Sequence, residues 1–170
     1  MTKNFAIFKL KEEINEKVKQ EFYNLKNDKF LKSKWIFRKR SYAKAKILKS
    51  KIIWLQGTKF FQLKKINKYA GGIKRKFNPM SYKIKNCIKK ITLNILERNL
   101  IKSKKLFLGA HAIRIICNKN NLGYPVPEGF HHDGFDYVAV ISVNKSGIVG
   151  GKSFLKNAQT KKIILRKTIQ

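Results

Sequence analysis

The sequence predicts an α+β domain in which two helices back an antiparallel sheet. Apolar residues recur at helical spacing in segments 11–26 and 82–101, whereas the chain beyond residue 105 consists of short β-branched runs separated by glycine and proline. The length of 170 residues is enough for one hydrophobic core and too short for two cores of ordinary size. We therefore predict that residues 1–170 form a single domain.

The first half of the chain is predicted to hold one helix and two strands. The apolar residues at helical spacing in segment 11–26 are Ile14, Val18, Phe22 and Leu25. The acidic residues Glu12, Glu13 and Glu16 favour a helix N-terminus. Apolar and basic residues alternate in segment 36–48, which predicts an extended strand, and KFFQLKKI at 59–66 could form another. Tyr69-Ala70-Gly71-Gly72 indicates a turn.

The second half of the chain begins with a helix and continues with strands. Over 82–101 one predicted helical face carries Ile84, Ile88, Ile91 and Ile95, with Cys87 beside them as a core residue. Segment 106–117 is β-branched and predicts a strand. A loop with two prolines follows, and 131–144 is interpreted as a turn leading into a buried strand. A glycine-rich turn at 147–151 separates it from two further strands at 152–155 and 161–167.

Composition excludes several classes of protein. Hydrophobic residues make up 43% of the chain, more than a disordered basic tail carries. The two cysteines, without a C-x-x-C motif, exclude a disulfide framework and a Cys-rich zinc site. No apolar run approaches the length of a membrane span, and the first residues lack the apolar region of a secretory signal. We therefore expect a soluble, cytoplasmic protein with no membrane partner.

The net charge of +31 has two interpretations. A basic surface binds nucleic acid by releasing counterions from phosphate. Alternatively, 34 lysines against six arginines indicate AT-rich codon usage, because selection for phosphate or base contacts favours arginine. The acidic residues are not spread evenly along this basic chain. Three of the nine, Glu128, Asp133 and Asp136, fall in one short segment.

That acidic segment, PEGFHHDGFD at 127–136, contains the candidate metal ligands His131 and Asp133. Residues two apart on an extended backbone project to the same face. An imidazole and a carboxylate on one face can bind a divalent metal, as in the facial triad of two histidines and one carboxylate. His132 would point to the other side. An H-x-D tripeptide also occurs in ordinary solvated turns, so its context has to decide.

The sequence on both sides of this tripeptide resembles that of the bacterial iron(II)/2-oxoglutarate dioxygenases related to the L-isoleucine hydroxylases. The resemblance covers roughly residues 35–168 and includes a G-x-H-x-x-R element at 109–114 and P-E-G-x-H-x-D-G at 127–134. Further similar positions are Arg40-Ser41-Tyr42, Gly71-Gly72, Arg75, Phe77 and Gly150-Gly151. The resemblance implies a double-stranded β-helix, or jelly roll, with the N-terminal and central helices packed outside.

The resemblance also implies cofactors, a substrate class and site residues. His131 and Asp133 would bind Fe(II), with 2-oxoglutarate as cosubstrate, and the family reaction would be hydroxylation of a free amino acid. Arg114 is the candidate for holding a cosubstrate or substrate carboxylate, although a surface role is as compatible with the sequence. Glu128 would orient His131 from behind, or would simply be a turn residue.

One part of the family pattern is not found in the sequence. The family has a second metal-binding histidine on a later strand, followed by a basic residue for 2-oxoglutarate, but no histidine follows His132 here. We therefore expect a C-terminally truncated family member with an incomplete jelly roll that is inactive alone. If the chain is active, His111 is the first candidate for a third ligand. The competing hypotheses are a basic nucleic-acid-binding protein and a degenerate gene product without function.

Overall fold

The computed structural model describes residues 5–10, 14–31, 36–67, 70–101, 103, 105–120, 122–127 and 129–169. Its elements in chain order are α1 (Glu16–Tyr23), β1 (Arg38–Leu48), β2 (Lys51–Leu55), β3 (Lys59–Phe60), β4 (Arg75–Lys76), β5 (Asn78–Pro79), α2 (Tyr82–Glu97), β6 (Lys105–Ile115), β7 (Lys152–Lys156) and β8 (Ile163–Thr168). The predicted α+β class is confirmed. The chain divides into two compact units, residues 1–59 with 76–123 and residues 60–75 with 124–170, which are described in turn.

Both predicted helices form, and each begins at a capping side chain. The Asn15 side chain accepts a hydrogen bond from the backbone N–H of Val18 at 3.0 Å, and Glu16 places a negative charge in the first turn of α1. Ser81 caps α2 in the same way through the N–H of Ile84. The helices are shorter than predicted, and residues 11–13 lie outside the described part of the chain.

A four-stranded mixed sheet is the centre of the first unit. β1 pairs antiparallel with β2 and with β6 and parallel with β5, so the expected sheet is not purely antiparallel. The register places Ala43 opposite Ala110 and Tyr42 opposite His111. Small side chains on one face allow the helices to approach the sheet closely. The residues of this core are Leu25, Ala43, Met80, Ile84, Ala110 and Ala112, with Phe22, Trp54, Ile88 and Leu108 packed against them.

The second unit contains the β7–β8 hairpin and irregular segments. β7 and β8 pair antiparallel, and the Asn157 side chain accepts hydrogen bonds from the backbone of Gln159 and Thr160 in the turn between them. These are the two strands predicted at 152–155 and 161–167. Glycines 147, 150 and 151 all have positive φ, as expected for a turn.

Two strand predictions are wrong. Of segment 59–66 only Lys59–Phe60 is a strand, because the N–H groups of Ile66 and Asn67 both bond to the carbonyl of Leu63 and fold the chain into a turn. Segment 131–144 forms no strand and is not buried, with Val140 68% exposed. A strand requires a hydrogen-bonding neighbour, and no strand among the described residues pairs with this segment.

No helix in the described ranges is both long enough and apolar enough to cross a membrane.

Candidate metal centre

The loop at 129–136 is shaped by its two glycines. Gly129 and Gly134 have φ values of +70° and +74°, a conformation that other residues adopt only with strain. The N–H of Gly129 bonds to the carbonyl of Val126 at 3.1 Å and closes the preceding proline turn. The backbone of 131–134 is irregular and not helical, as the metal hypothesis requires.

The side chains of His131 and Asp133 meet in this loop. The Nε2 atom of His131 lies 3.2 Å from Oδ1 of Asp133, within the 3 to 4 Å expected for two side chains converging on one point. Their side chains are 26% and 38% exposed, so the pair is accessible to a solute. His132 is engaged elsewhere, because its Nδ1 accepts the N–H of Gly134 at 3.0 Å.

The hydrogen bonds of His131 determine which nitrogen can bind a metal. Its Nδ1 lies 2.9 Å from the carbonyl oxygen of Gly129. A carbonyl only accepts hydrogen bonds, so Nδ1 carries a proton and donates it. Nε2 then faces the Asp133 carboxylate and is the ring nitrogen through which His131 could bind a cation. A metal-ligating histidine is typically held by such a bond from its other nitrogen to a backbone carbonyl.

Three residues of segment 60–75 contact the loop at 129–136. The side-chain amide of Gln62 donates to the backbone oxygen of Asp133 at 3.2 Å. Gly134 lies against Ile66, so that a Cβ there would be 2.5 Å from the isoleucine Cδ1. The ring of Phe135 lies 6.3 Å from that of Phe60. The position of Gln62 is not predictable from the sequence, because a lone glutamine gives no pattern.

The other predicted site residues are placed elsewhere or lie outside the description. Arg114 donates to the backbone oxygen of Tyr23 at 3.3 Å and lies 4.4 Å from the centre of the Tyr23 ring, so its guanidinium packs on the end of α1. Its role as a carboxylate-binding residue stays a prediction. Glu128 lies outside the described residues.

His111 belongs to a buried polar cluster in the first unit. Arg40 approaches its Nδ1 with Nε at 3.1 Å and Nη2 at 2.9 Å, and its ring stacks on Tyr42 at 4.5 Å. Burial raises the pKa of the Tyr42 hydroxyl, an effect that Arg40 opposes. Because a guanidinium only donates, Nδ1 of His111 is the acceptor and the ring proton is on Nε2. His111 in this state is not prepared to bind a metal through Nε2, because a metal-binding nitrogen must be unprotonated.

Comparison with known proteins identifies the family. The family model described as 2OG-Fe dioxygenase matches residues 19–170. The chain belongs to the 2OG-Fe dioxygenase family. A crystal structure of a bsmA homologue from Methylobium petroleophilum PM1 is similar to this dioxygenase-family chain, with a TM-score of 0.56 and 25% sequence identity. The similarity covers 69% of this chain and 49% of the homologue, so the chain spans about half of that protein's length. No curated protein matches the sequence.

Family membership implies Fe(II) and 2-oxoglutarate, and the loop fits iron in part. His131 and Asp133 supply the nitrogen and oxygen donors that a non-haem iron site uses. Within the described ranges no group of three or more His, Cys, Asp or Glu side chains could hold a metal ion. Among the described residues of this family member, His131 and Asp133 are therefore two candidate ligands. The family match supports the 2OG-Fe dioxygenase family and not the isoleucine hydroxylases in particular.

Proposed function

We propose that this chain carries the iron-binding half of an Fe(II)/2-oxoglutarate-dependent oxygenase that hydroxylates a free amino acid. The observation that supports it best is the 3.2 Å approach of His131 Nε2 to the Asp133 carboxylate, with His131 Nδ1 bonded to a backbone carbonyl. The composition of the segment supports the same function. Residues 120–144 contain no lysine or arginine in a chain that has 40, so the segment itself adds no positive charge that would repel a divalent cation.

Two side chains of the loop would hold the iron. His131 would ligate through Nε2 while its Nδ1 proton stays on the Gly129 carbonyl, and Asp133 would ligate through a carboxylate oxygen. Iron with 2-oxoglutarate would supply the oxygen activation that hydroxylation needs. Arg114 remains our candidate for a substrate or cosubstrate carboxylate, and Glu128 for orienting His131, as the sequence predicts.

A complete site needs a third protein ligand and a jelly roll that encloses it. No histidine follows His132 in the 170 residues, and Arg40 engages the Nδ1 atom of His111. We propose that the third ligand and the strands that complete the jelly roll are not among these 170 residues. The 170-residue chain would then turn over no 2-oxoglutarate, because two ligands bind iron weakly and leave the cosubstrate unpositioned.

The test joins this chain to the C-terminal strands of a longer family member. The fusion should bind Fe(II) and form succinate from 2-oxoglutarate when free amino acids are present. His131→Ala and Asp133→Ala should each abolish both, whereas His132→Ala should retain them. Succinate formation by the unfused chain that is lost in Asp133→Ala would contradict the need for an added ligand. Iron binding that survives both ligand substitutions would contradict the assignment of the site.

A further inference from the structure

We propose that Gln62 is the positioning residue of this metal centre, fixing the backbone of Asp133 so that its carboxylate meets His131. This role rests on the proposed function, whereas the hydrogen bond between Gln62 and Asp133 does not depend on it. Gln62 is 8% exposed and lies 71 residues before Asp133, whose backbone oxygen accepts its amide N–H at 3.2 Å. A buried glutamine that spends its donor on a distant backbone carbonyl holds that carbonyl in place.

The orientation of the Gln62 amide is forced by its neighbours. Arg75 donates to Oε1 of Gln62 at 2.8 Å, and a guanidinium has no acceptor. Asn67 donates to the same oxygen at 3.2 Å, and its own oxygen is occupied by the N–H of Ala70 at 2.8 Å. Every group in this chain of hydrogen bonds has one possible direction. The Nε2 atom of Gln62 must therefore point to Asp133.

The Gly71-Gly72 pair allows this network to form. A Cβ on Gly71 would lie 2.4 Å from the backbone oxygen of Asn67, closer than any real Cβ contact, so only glycine fits. Gly72 has φ +84° and returns its N–H to the backbone oxygen of Gln62 at 2.8 Å. The turn therefore fixes Gln62 by its backbone, and Arg75 and Asn67 fix it by its side chain.

The loop is contacted at three consecutive residues by one segment. Gln62 bonds to Asp133, Ile66 packs on Gly134 and Phe60 faces Phe135. The guanidinium of Arg75 also lies 4.9 Å from the Phe60 ring centre, so the polar and the aromatic contacts share one anchor. Of these three contacts, only the bond of Gln62 is directional. Together with the bond from the Gly134 N–H to Nδ1 of His132, it fixes the rotation of the peptide between Asp133 and Gly134, on which the position of the carboxylate depends.

The experiment compares Gln62→Met and Gln62→Glu with the unchanged 170-residue chain by NMR without metal. Methionine keeps the length of the side chain and removes its hydrogen bonds. Glutamate keeps the acceptor for Arg75 and Asn67, and so the fold, but has no donor for Asp133. The readouts are the carbonyl ¹³C shift of Asp133, which reports that hydrogen bond directly, and the order parameter of the Gly134 amide. Gln159→Met, at an exposed position, is the matched control.

Both Gln62 variants should move the Asp133 carbonyl shift and lower the Gly134 order parameter, while the control changes neither. Unchanged values in Gln62→Glu would overturn the inference even if Gln62→Met fails to fold. Mn²⁺ affinity is then measured in the C-terminal fusion, where Gln62→Met should weaken it about 10- to 100-fold. Equal Mn²⁺ affinity in the unsubstituted fusion and in the Gln62→Met fusion would also overturn the inference. If the unsubstituted fusion binds no Mn²⁺ while the NMR changes occur, the proposed function fails and the positioning role stands.

Discussion

At the scale of single residues, the first unit contains a group of buried charged side chains, Asp28, Arg38 and Arg40. The Asp28 side chain is fully buried, and one of its oxygens accepts from Nε of Arg38 at 2.9 Å, while the other accepts from the N–H of Phe30 at 3.0 Å. Nη1 of Arg40 lies 3.7 Å from the same carboxylate. The cluster fixes the start of β1, on which Arg40 and Tyr42 are carried.

Replacing Asp28 tests how much this cluster contributes to stability. Asp28→Asn should lower the free energy of unfolding by about 3 kcal/mol, because it leaves the buried Arg38 guanidinium without its counter-charge. Urea unfolding followed by circular dichroism measures the loss. Asp136→Asn, at an exposed position, should change stability by less than about 0.5 kcal/mol. Similar losses in the two variants would mean that the Asp28 carboxylate is not needed as a charge.

At the scale of secondary structure elements, an ion pair joins the two helices that pack on the sheet. Nζ of Lys83 on α2 lies 2.9 Å from the Glu21 carboxylate on α1. The hydrogen bond from Lys83, with a smaller one from Ser81, lowers the pKa of Glu21 below its usual value. The pair is partly exposed, so solvent screening keeps its contribution small.

The helix pair should therefore lose stability in acid. A carboxyl group with a lowered folded-state pKa stabilises the protein above its unfolded-state pKa, and this contribution is lost as the pH falls through the folded-state value. Glu21→Gln should cost less than about 1 kcal/mol at neutral pH, and the difference from the unchanged chain should shrink toward pH 3. Urea unfolding over a pH series measures it, with the exposed Glu97→Gln as control. A difference that grows in acid would contradict the lowered pKa.

At the scale of the whole molecule, the net charge of +31 should produce weak and unselective binding to polyanions. If codon usage accounts for the lysines, affinity for duplex DNA should be modest at low salt and should disappear at about 0.15 M salt, because it consists of counterion release alone. Fluorescence anisotropy with two unrelated duplexes over a salt series measures this. Submicromolar or sequence-selective binding at that salt concentration would instead favour the nucleic-acid hypothesis.

The elements that the sequence predicts correctly are those that depend on interactions between residues close together in the chain. Helices α1 and α2, strands β1 and β6 and the hairpin β7–β8 were predicted, because each has a local pattern of spacing, capping or turn residues. The two-residue spacing of His131 and Asp133 likewise predicts that their side chains can meet, although the backbone of Asp133 is held by the distant Gln62. Segment 131–144 was mispredicted because a strand depends on a partner that its own sequence does not specify.

The sequence by itself determined the α+β class, the helices, the main strands and the H-x-D pair of this family member, all of which depend on neighbours within a few positions. The tertiary structure alone decided that Asp28 neutralises Arg38, that Arg40 engages His111 and that Gln62 holds Asp133. Arg40 and His111, like Gln62 and Asp133, are 71 residues apart, so no periodicity or motif links the partners. Such bonds form only after packing has excluded water, when a buried polar group must find a partner or be left unsatisfied at a cost of about 1–3 kcal/mol.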